Sequence, residues 1–494
     1  MPHAPAGDAH DVVSGIASAF LSGAVNWRDS SLHYNLGAPP TTVSTALYAL
    51  GLDANVYLIN DGLAGRAILA EAAVSRILSE LAGVAANEAR GLFVFGGTGT
   101  IAYSIRCGLA KSTPDLAQDG IDKRSFVAIT EEAHFSHARS SRWLGLGDSQ
   151  ILVLPANEDR TTDVDGAIAL IDERVAQGGR LATLLVNGGT TYDHGVDDVP
   201  RFRGYLEELA AREGWDYRPH LHVDSVIGWE WLFFRGHDFD STSAFDSRTR
   251  VLLREQAELV ESALGNADSW GVDFHKGAGC CPIDCSMVMF NDGRDLGYLN
   301  GHGRLDEMHQ LASELSVASP ADHTLETSRA GAKALAALGT LHSLGRDGYQ
   351  AVLGGLVEAA QRFRAVVAEY PDMQIENTYS RGYQSMVRIF PPELSQSSFR
   401  ETERKGTGDE QRAFTEAVNA YHRAFVEWDE RVRMSRQGPG PYYSFSGRFR
   451  VVESGAGLTG LKFYPTSPRL SNAEAEDAAR VLADLKAEFD AVDR

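Results

Sequence analysis

Residues 91–105 read GLFVFGGTGTIAYSI: an apolar run rich in aromatic side chains, glycines at 96, 97 and 99, then helical spacing. A strand that passes through a glycine turn into a helix is the opening half of a βαβ unit. Outward from this stretch the rhythm repeats. Apolar runs stand at SFVAIT (125–130), QILVLP (150–155), RLATLLVNGG (180–189), HLHVD (220–224), SWGVDF (269–274) and SMVMF (286–290), which with GLFVF (91–95) make seven predicted strands. Helical spacing fills DGAIALIDERVAQ (165–177) and RVLLREQAELVESALG (250–265). The alternation predicts an α/β protein with a seven-stranded, mostly parallel sheet in a large domain over residues 63–345. Beyond it, two long helical patterns and short strands at SMVRIF, RFRVVE and LKFYP predict a smaller C-terminal α+β domain over 346–494. Within that domain the polar stretch 391–412 reads as an exposed excursion. Residues 1–62, with Pro39, Pro40 and aromatic anchors, are expected to form an N-terminal arm packed on a partner or on the large domain.

The chain of 494 residues sets 46 Lys plus Arg against 67 Asp plus Glu, a formal net charge of −21 that repels nucleic-acid backbones and anionic lipid surfaces. Neither is expected as a partner. A hydrophobic share of 43%, a charged share of 23% and a mean hydropathy of −0.22 are those of a folded globular protein. No Lys or Arg precedes the mildly apolar stretch near the start, so a secretory signal is not expected. Apolar runs fall short of the roughly 18 residues that cross a bilayer, and a cytoplasmic location is expected. The four cysteines, Cys107, Cys280, Cys281 and Cys285, are too sparse for a disulfide framework. The last three lack the CxxC spacing of a metal knuckle, so no metal is expected.

Ligands of open parallel sheets bind beyond the carboxyl ends of the strands. Four of those ends carry unusual residues. The glycines after residue 95 lead into a helix whose N-terminal amides suit a phosphate, and Gly97, Gly99 and Ala102 also satisfy the dinucleotide pattern GxGxxA. A strand-to-helix turn that needs glycine for its backbone conformation is the other reading of them. HLHVD leaves Asp224 at the tip of an apolar strand, where a carboxylate needs a cationic partner or serves as an ordinary cap. SWGVDFHKGAG places Lys276 just past a strand, either as a paired cation or as a nucleophilic amine. EEAHFSHARS puts His134 a few residues past another. One ligand uses all four features: pyridoxal phosphate has a phosphate, a pyridine nitrogen that needs an anionic partner, an aldehyde that condenses with lysine, and a flat face for an imidazole.

With these residues in order the chain resembles the group II pyridoxal-phosphate-dependent amino-acid decarboxylases, relatives of the aromatic amino-acid and glutamate decarboxylases. GGT (96–98) is similar to the family's phosphate loop, HFS (134–136) to its stacking-histidine motif, and GTT (189–191) followed by GVDD to its GTT and GxxDD segment. HVD (222–224), HK (275–276) and ETSRAGAKALAALGTLHSLGRDGY (326–349) complete the match. The resemblance implies a fold-type I architecture, a homodimer and an amino-acid substrate. It also implies roles: Lys276 holds the cofactor as a Schiff base; Gly96, Gly97, Thr98 and His275 bind its phosphate; Asp224 pairs with the ring nitrogen; His134 stacks on the ring; and Thr191 sits near the cofactor. The family's protonating tyrosine on a mobile loop has Tyr298 as its candidate here, with a packed loop anchor as the other reading. Three departures bear on the substrate. Glu-Ala after the phosphate loop becomes Gly99-Thr100, HVDAAxGG becomes HVDSVIGW (222–229), and the aromatic residue after HK becomes Gly277. Val226 is therefore expected to crowd the ring face and Gly277 to open space. Arg448, Arg450 and Lys462 are possible partners for a substrate carboxylate, and spacing selects none of them.

The leading expectation is decarboxylation of an L-amino acid to the amine and carbon dioxide. Rivals that keep the cofactor are a carbon–carbon lyase, an aminotransferase and a decarboxylation-dependent oxidative deaminase. A nicotinamide-dependent oxidoreductase built on GxGxxA, with Asp115 as the ribose carboxylate, leaves Asp224, His275 and Lys276 without a task. A non-catalytic scaffold needs neither Lys276 nor Asp224.

Overall fold

The computed structural model describes residues 8–21, 24–241, 244–300, 320–394, 401, 403, 406, 408–436 and 442–492. All seven predicted strands of the large sheet form, at β2 (Arg90–Phe95), β3 (Ser125–Thr130), β4 (Ile151–Leu154), β5 (Arg180–Asn187), β6 (His220–Asp224), β7 (Ser269–Asp273) and β8 (Cys285–Phe290), after a short β1 (Leu32–His33) in the arm. Their order across the sheet is β2-β8-β7-β6-β5-β3-β4. The strands run parallel except β8, which is antiparallel to both neighbours, β2 and β7. Every residue of β3, β6, β7 and β8 is buried, as a sheet covered by helices on both faces requires. The helix Gly96–Ser112 lies so close to the sheet that a Cβ on Gly108 would come within 2.0 Å of Thr183 Oγ1 and 2.5 Å of the Ala182 carbonyl oxygen.

The second sheet contains β9 (Met373–Ile375), β10 (Ser385–Ile389), β11 (Tyr442–Val451) and β12 (Gly457–Phe463), in the order β1-β11-β12-β10-β9. The helical segment Ala332–Val367 breaks at Gly345, whose φ of 60° and ψ of −173° lie outside the helical region. Before the break it packs on the helix Thr42–Asp53; beyond it, Phe363, Val366 and Val367 enter the core of the second sheet.

The arm does more than pack on the surface. β1 pairs in parallel with β11, and the chain then runs beside the strand-end segment of the large sheet. The Ala38 amide donates to the His275 carbonyl (3.0 Å) and the Gly277 amide to the Leu36 carbonyl (2.9 Å). The stretch 391–412, expected as an exposed excursion, is anchored instead: Glu403, 4% exposed, pairs with the fully buried Arg388, and its residues 395–400 lie outside the described residues. A buried guanidinium draws in the acid that neutralises it.

A second buried ion pair ties the arm to the sheet. Arg329 Nη1 donates to Glu71 Oε1 (2.6 Å) and to the Phe93 carbonyl of β2 (2.9 Å), while its Nη2 donates to Glu71 Oε2 (3.1 Å) and to the Leu58 carbonyl (3.3 Å). Glu71 also accepts from the Phe93 amide (2.7 Å). Because removing one partner strands the other charge in the core, Arg329→Met is expected to cost about 3–5 kcal/mol of stability. The double variant Glu71→Met/Arg329→Met should regain part of that loss, as read from the midpoint of urea denaturation.

Candidate active site

Two neighbouring strands end in buried carboxylates. Asp224 closes β6 and is 7% exposed; Asp273 closes β7 and is 1% exposed. Each meets a nitrogen base. Asp224 Oδ2 lies 2.9 Å from His137 Nε2, while Oδ1 has only a long contact from the Val226 amide, at 3.4 Å. Burial alone raises a carboxylate pKa, but the hydrogen bond and charge interaction with His137, joined by His222 and His134, hold Asp224 well below the ordinary carboxylate range. It is ionised at neutral pH.

Asp273 organises the other half of the site. Its Oδ2 lies 2.8 Å from Lys276 Nζ and 3.9 Å from His275 Nε2, and its Oδ1 accepts from Ser286 Oγ (2.5 Å). Burial lowers the Lys276 pKa, but Asp273 first and Asp224 second more than offset it, so the ammonium stands above its ordinary value. The glycine loop lies against this pair: a Cβ on Gly97 would fall 3.0 Å from both Asp273 Oδ2 and Val226 Cγ1. The helix Gly96–Ser112 begins there without a side-chain cap, leaving first-turn amides for an anion, and Gly96 has a φ of 75° that favours glycine. Thr98 follows on the same turn, exposed, its carbonyl 3.5 Å from Ser140 Oγ.

His134 stands beside these groups, its Nδ1 2.7 Å from Ser136 Oγ. Burial, opposed by Asp224, brings its pKa down to about 4, so the imidazole is neutral at pH 7. Thr191 is connected less directly. Its loop packs on the turn after Asp224, where Ser225 Oγ donates to the Gly188 carbonyl (3.2 Å), and the Thr191 carbonyl accepts from Tyr464 Oη (2.8 Å).

Three expectations meet a different geometry. Tyr298 packs in an apolar cluster with Tyr103, Cys107 and Leu296, with Lys111 Nζ 5.5 Å from its ring centre, and no described contact joins it to Lys276; residues 301–319 that follow lie outside the described residues. Gly277 does not open space, because a Cβ there would lie 2.2 Å from Tyr383 Oη and 2.6 Å from Glu230 Oε2. Asp115 stands past the far end of the helix Gly96–Ser112, more than ~20 Å from Gly97 at about 1.5 Å per residue, too remote to serve a dinucleotide held at that glycine.

The site also contains residues that the sequence did not single out. Asp273 lies inside a quoted strand, one residue before its last apolar position, and its place at the strand end was an available signal. His137 lies in the first turn of the helix Ser136–Trp143, three residues after His134, and its amide donates to the His134 carbonyl (3.0 Å). Glu230 accepts from Tyr383 Oη (2.8 Å) and the Ala278 amide (2.6 Å), and burial pushes its carboxyl up to about 8 despite both bonds. In Asp273→Asn the group that holds the Lys276 ammonium is gone, so its pKa falls and the neutral amine becomes more abundant. The rate at which this lysine reacts with an aldehyde at about pH 8 should rise, with its pH profile displaced to lower pH, as followed by absorbance.

No family model matches the chain. It is 28% identical over 276 residues to a probable L-tyrosine/L-aspartate decarboxylase of Methanosphaerula palustris, covering 56% of this chain and 61% of that protein. It is also 28% identical over 345 residues to an L-2,4-diaminobutyrate decarboxylase of Rhizobium meliloti, covering 69% and 58%. The chain spans about three fifths of the length of these curated relatives. Among solved structures, mouse CSAD in its apo form superposes with a TM-score of 0.76 at 16% identity, over 99% of this chain and 90% of that one. Oryza sativa TDC with PLP and tryptamine superposes at 0.75 and 14%, over 99% and 90%. In sequence the chain is similar to amino-acid decarboxylases, and its α/β fold is that of mouse CSAD and Oryza sativa TDC.

Proposed function

We propose that this chain is a pyridoxal-phosphate-dependent carboxy-lyase that removes carbon dioxide from an L-amino acid. The observation that carries the reading is the convergence of Lys276, the ionised Asp224, the neutral His134 and the uncapped glycine helix start beyond the carboxyl ends of β7, β6, β3 and β2. The residues fit the cofactor. A Cβ on Gly97 would press tightly on Asp273 and Val226, the first-turn amides suit a phosphate, and Asp224 keeps Oδ1 for a ring nitrogen. When bound, pyridoxal phosphate supplies an electron sink for the pair left behind by departing carbon dioxide. Lys276 would be the attachment point, His134 would cover a ring face, and the Asp224 charge would hold the proton on the ring nitrogen.

Lys462 is the cation best suited to a substrate carboxylate. It lies on β12 with its ammonium 5.8 Å from the ring centres of both Tyr192 and Tyr464, and Tyr464 is the side chain that bonds the Thr191 loop. Burial lowers its pKa, and no carboxylate pairs with it among the described residues. Arg450 instead reaches the Glu158 carbonyl (3.4 Å), and Arg448 is exposed. The relatives named for tyrosine, aspartate and diaminobutyrate support an α-amino acid as substrate.

The proposal includes a cytoplasmic homodimer divided at 1–62, 63–345 and 346–494. The helix Ala9–Phe20 supports association through the arm: it has no buried residue, and Val13, Ile16 and Phe20 are 67%, 58% and 80% exposed. No helix among the described residues is long and apolar enough to cross a membrane.

Incubation of the reconstituted protein with a panel of amino acids should release carbon dioxide and an amine; ammonia with an aldehyde, or a retained carboxylate, rejects the assignment. Lys276→Ala is expected to lose turnover and the cofactor mass that borohydride fixes to the wild-type peptide. Lys462→Met should raise KM for the amino acid on the order of tenfold to a hundredfold with a smaller change in kcat, the cost of a lost charge-assisted hydrogen bond.

A further inference from the structure

We infer that His137 is a positioning residue that fixes the Asp224 carboxylate by one oxygen and leaves the other for the ring nitrogen of the cofactor; this rests on the decarboxylase reading above. His137 is fully buried, and its Nε2 lies 2.9 Å from Asp224 Oδ2. Its other ring nitrogen, Nδ1, has no hydrogen-bond partner, so the ring's polar contact is with Asp224. An ionised carboxylate only accepts, and Nε2 therefore carries the proton. The other candidates to hold Asp224 are turned elsewhere: His222 directs Nδ1 to Ser269 Oγ (2.9 Å), and His134 directs its Nδ1 to Ser136 Oγ. Asp273 and Lys276 are paired with each other.

The geometry divides the work of the two oxygens. Oδ2 is taken by a rigid, buried donor on the helix Ser136–Trp143, while the 3.4 Å contact of the Val226 amide is too long to satisfy Oδ1. A carboxylate held at one oxygen cannot rotate away from a nitrogen placed at the other, and a bond from His137 keeps it ionised between visits of the cofactor. A histidine that served packing alone would not need its one donor aimed at this group.

The test compares wild type with His137→Phe, His137→Gln and His137→Asn. Each is titrated, by absorbance, with pyridoxal phosphate and separately with an analogue in which carbon replaces the ring nitrogen. Glutamine can extend an amide to the place of Nε2, and the shorter asparagine cannot. Phenylalanine and asparagine are expected to weaken pyridoxal phosphate binding on the order of tenfold to a hundredfold, with glutamine restoring most of it. Toward the analogue all four proteins should bind alike. An equal loss toward both compounds assigns His137 a merely structural role and overturns the inference, as does wild-type affinity in the asparagine variant. Should phenylalanine prevent folding, the contrast between glutamine and asparagine decides the matter. A wild-type protein that takes up neither compound overturns the decarboxylase reading itself, a result distinct from the others.

Discussion

Asp224 and Asp273 end adjacent strands inside a sheet covered on both faces, and two carboxylates in such surroundings must each find a base or lose their charge. That requirement shapes everything around them. Asp273 draws Lys276 back across one turn of chain, and Asp224 draws His137 from the helix that follows β3. Beside these two contacts lie the first-turn amides of the uncapped glycine helix start and Asp224 Oδ1, whose contact from the Val226 amide is long. A ligand with an anionic tail and a protonated ring nitrogen complements both.

The frame that holds these ends in place is built from distant parts of the chain. The arm hydrogen-bonds on either side of Lys276, at His275 and Gly277, and its β1 belongs to the second sheet. The lysine therefore sits where the arm, the large sheet and the second sheet meet. The Glu71–Arg329 pair fastens the arm at Leu58 to β2, the strand that carries the glycine turn. A shift at any of these joints bears on the lysine or on the glycine helix start, since packed interiors yield little.

The departures from the family's motifs acquire physical content in this frame. Val226 faces Gly97 and Gly271, and its bulk narrows the floor beneath the glycine loop. The space next to Gly277 belongs to Tyr383 and to Glu230, an acid that stays largely protonated at neutral pH because it is buried. The wall after the lysine is thus made by a tyrosine from the second domain instead of by the residue next in sequence.

Strand positions could be read from the chain because burial on both faces writes itself locally: LFVF and VAI are apolar without interruption, LATLLV is broken only by Thr183, and the glycines after Phe95 mark the turn. Lys276, Asp224 and His134 could likewise be found, since strand ends and motif order are properties of neighbouring residues. The reversed β8, the filled space at Gly277, and the partners His137 and Asp273 could not. Each depends on which residues, remote in the chain, come within a few ångströms of one another. Periodicity records whether a side chain is buried; it carries no record of the charge or ring that will lie against it, and only the folded packing settles that.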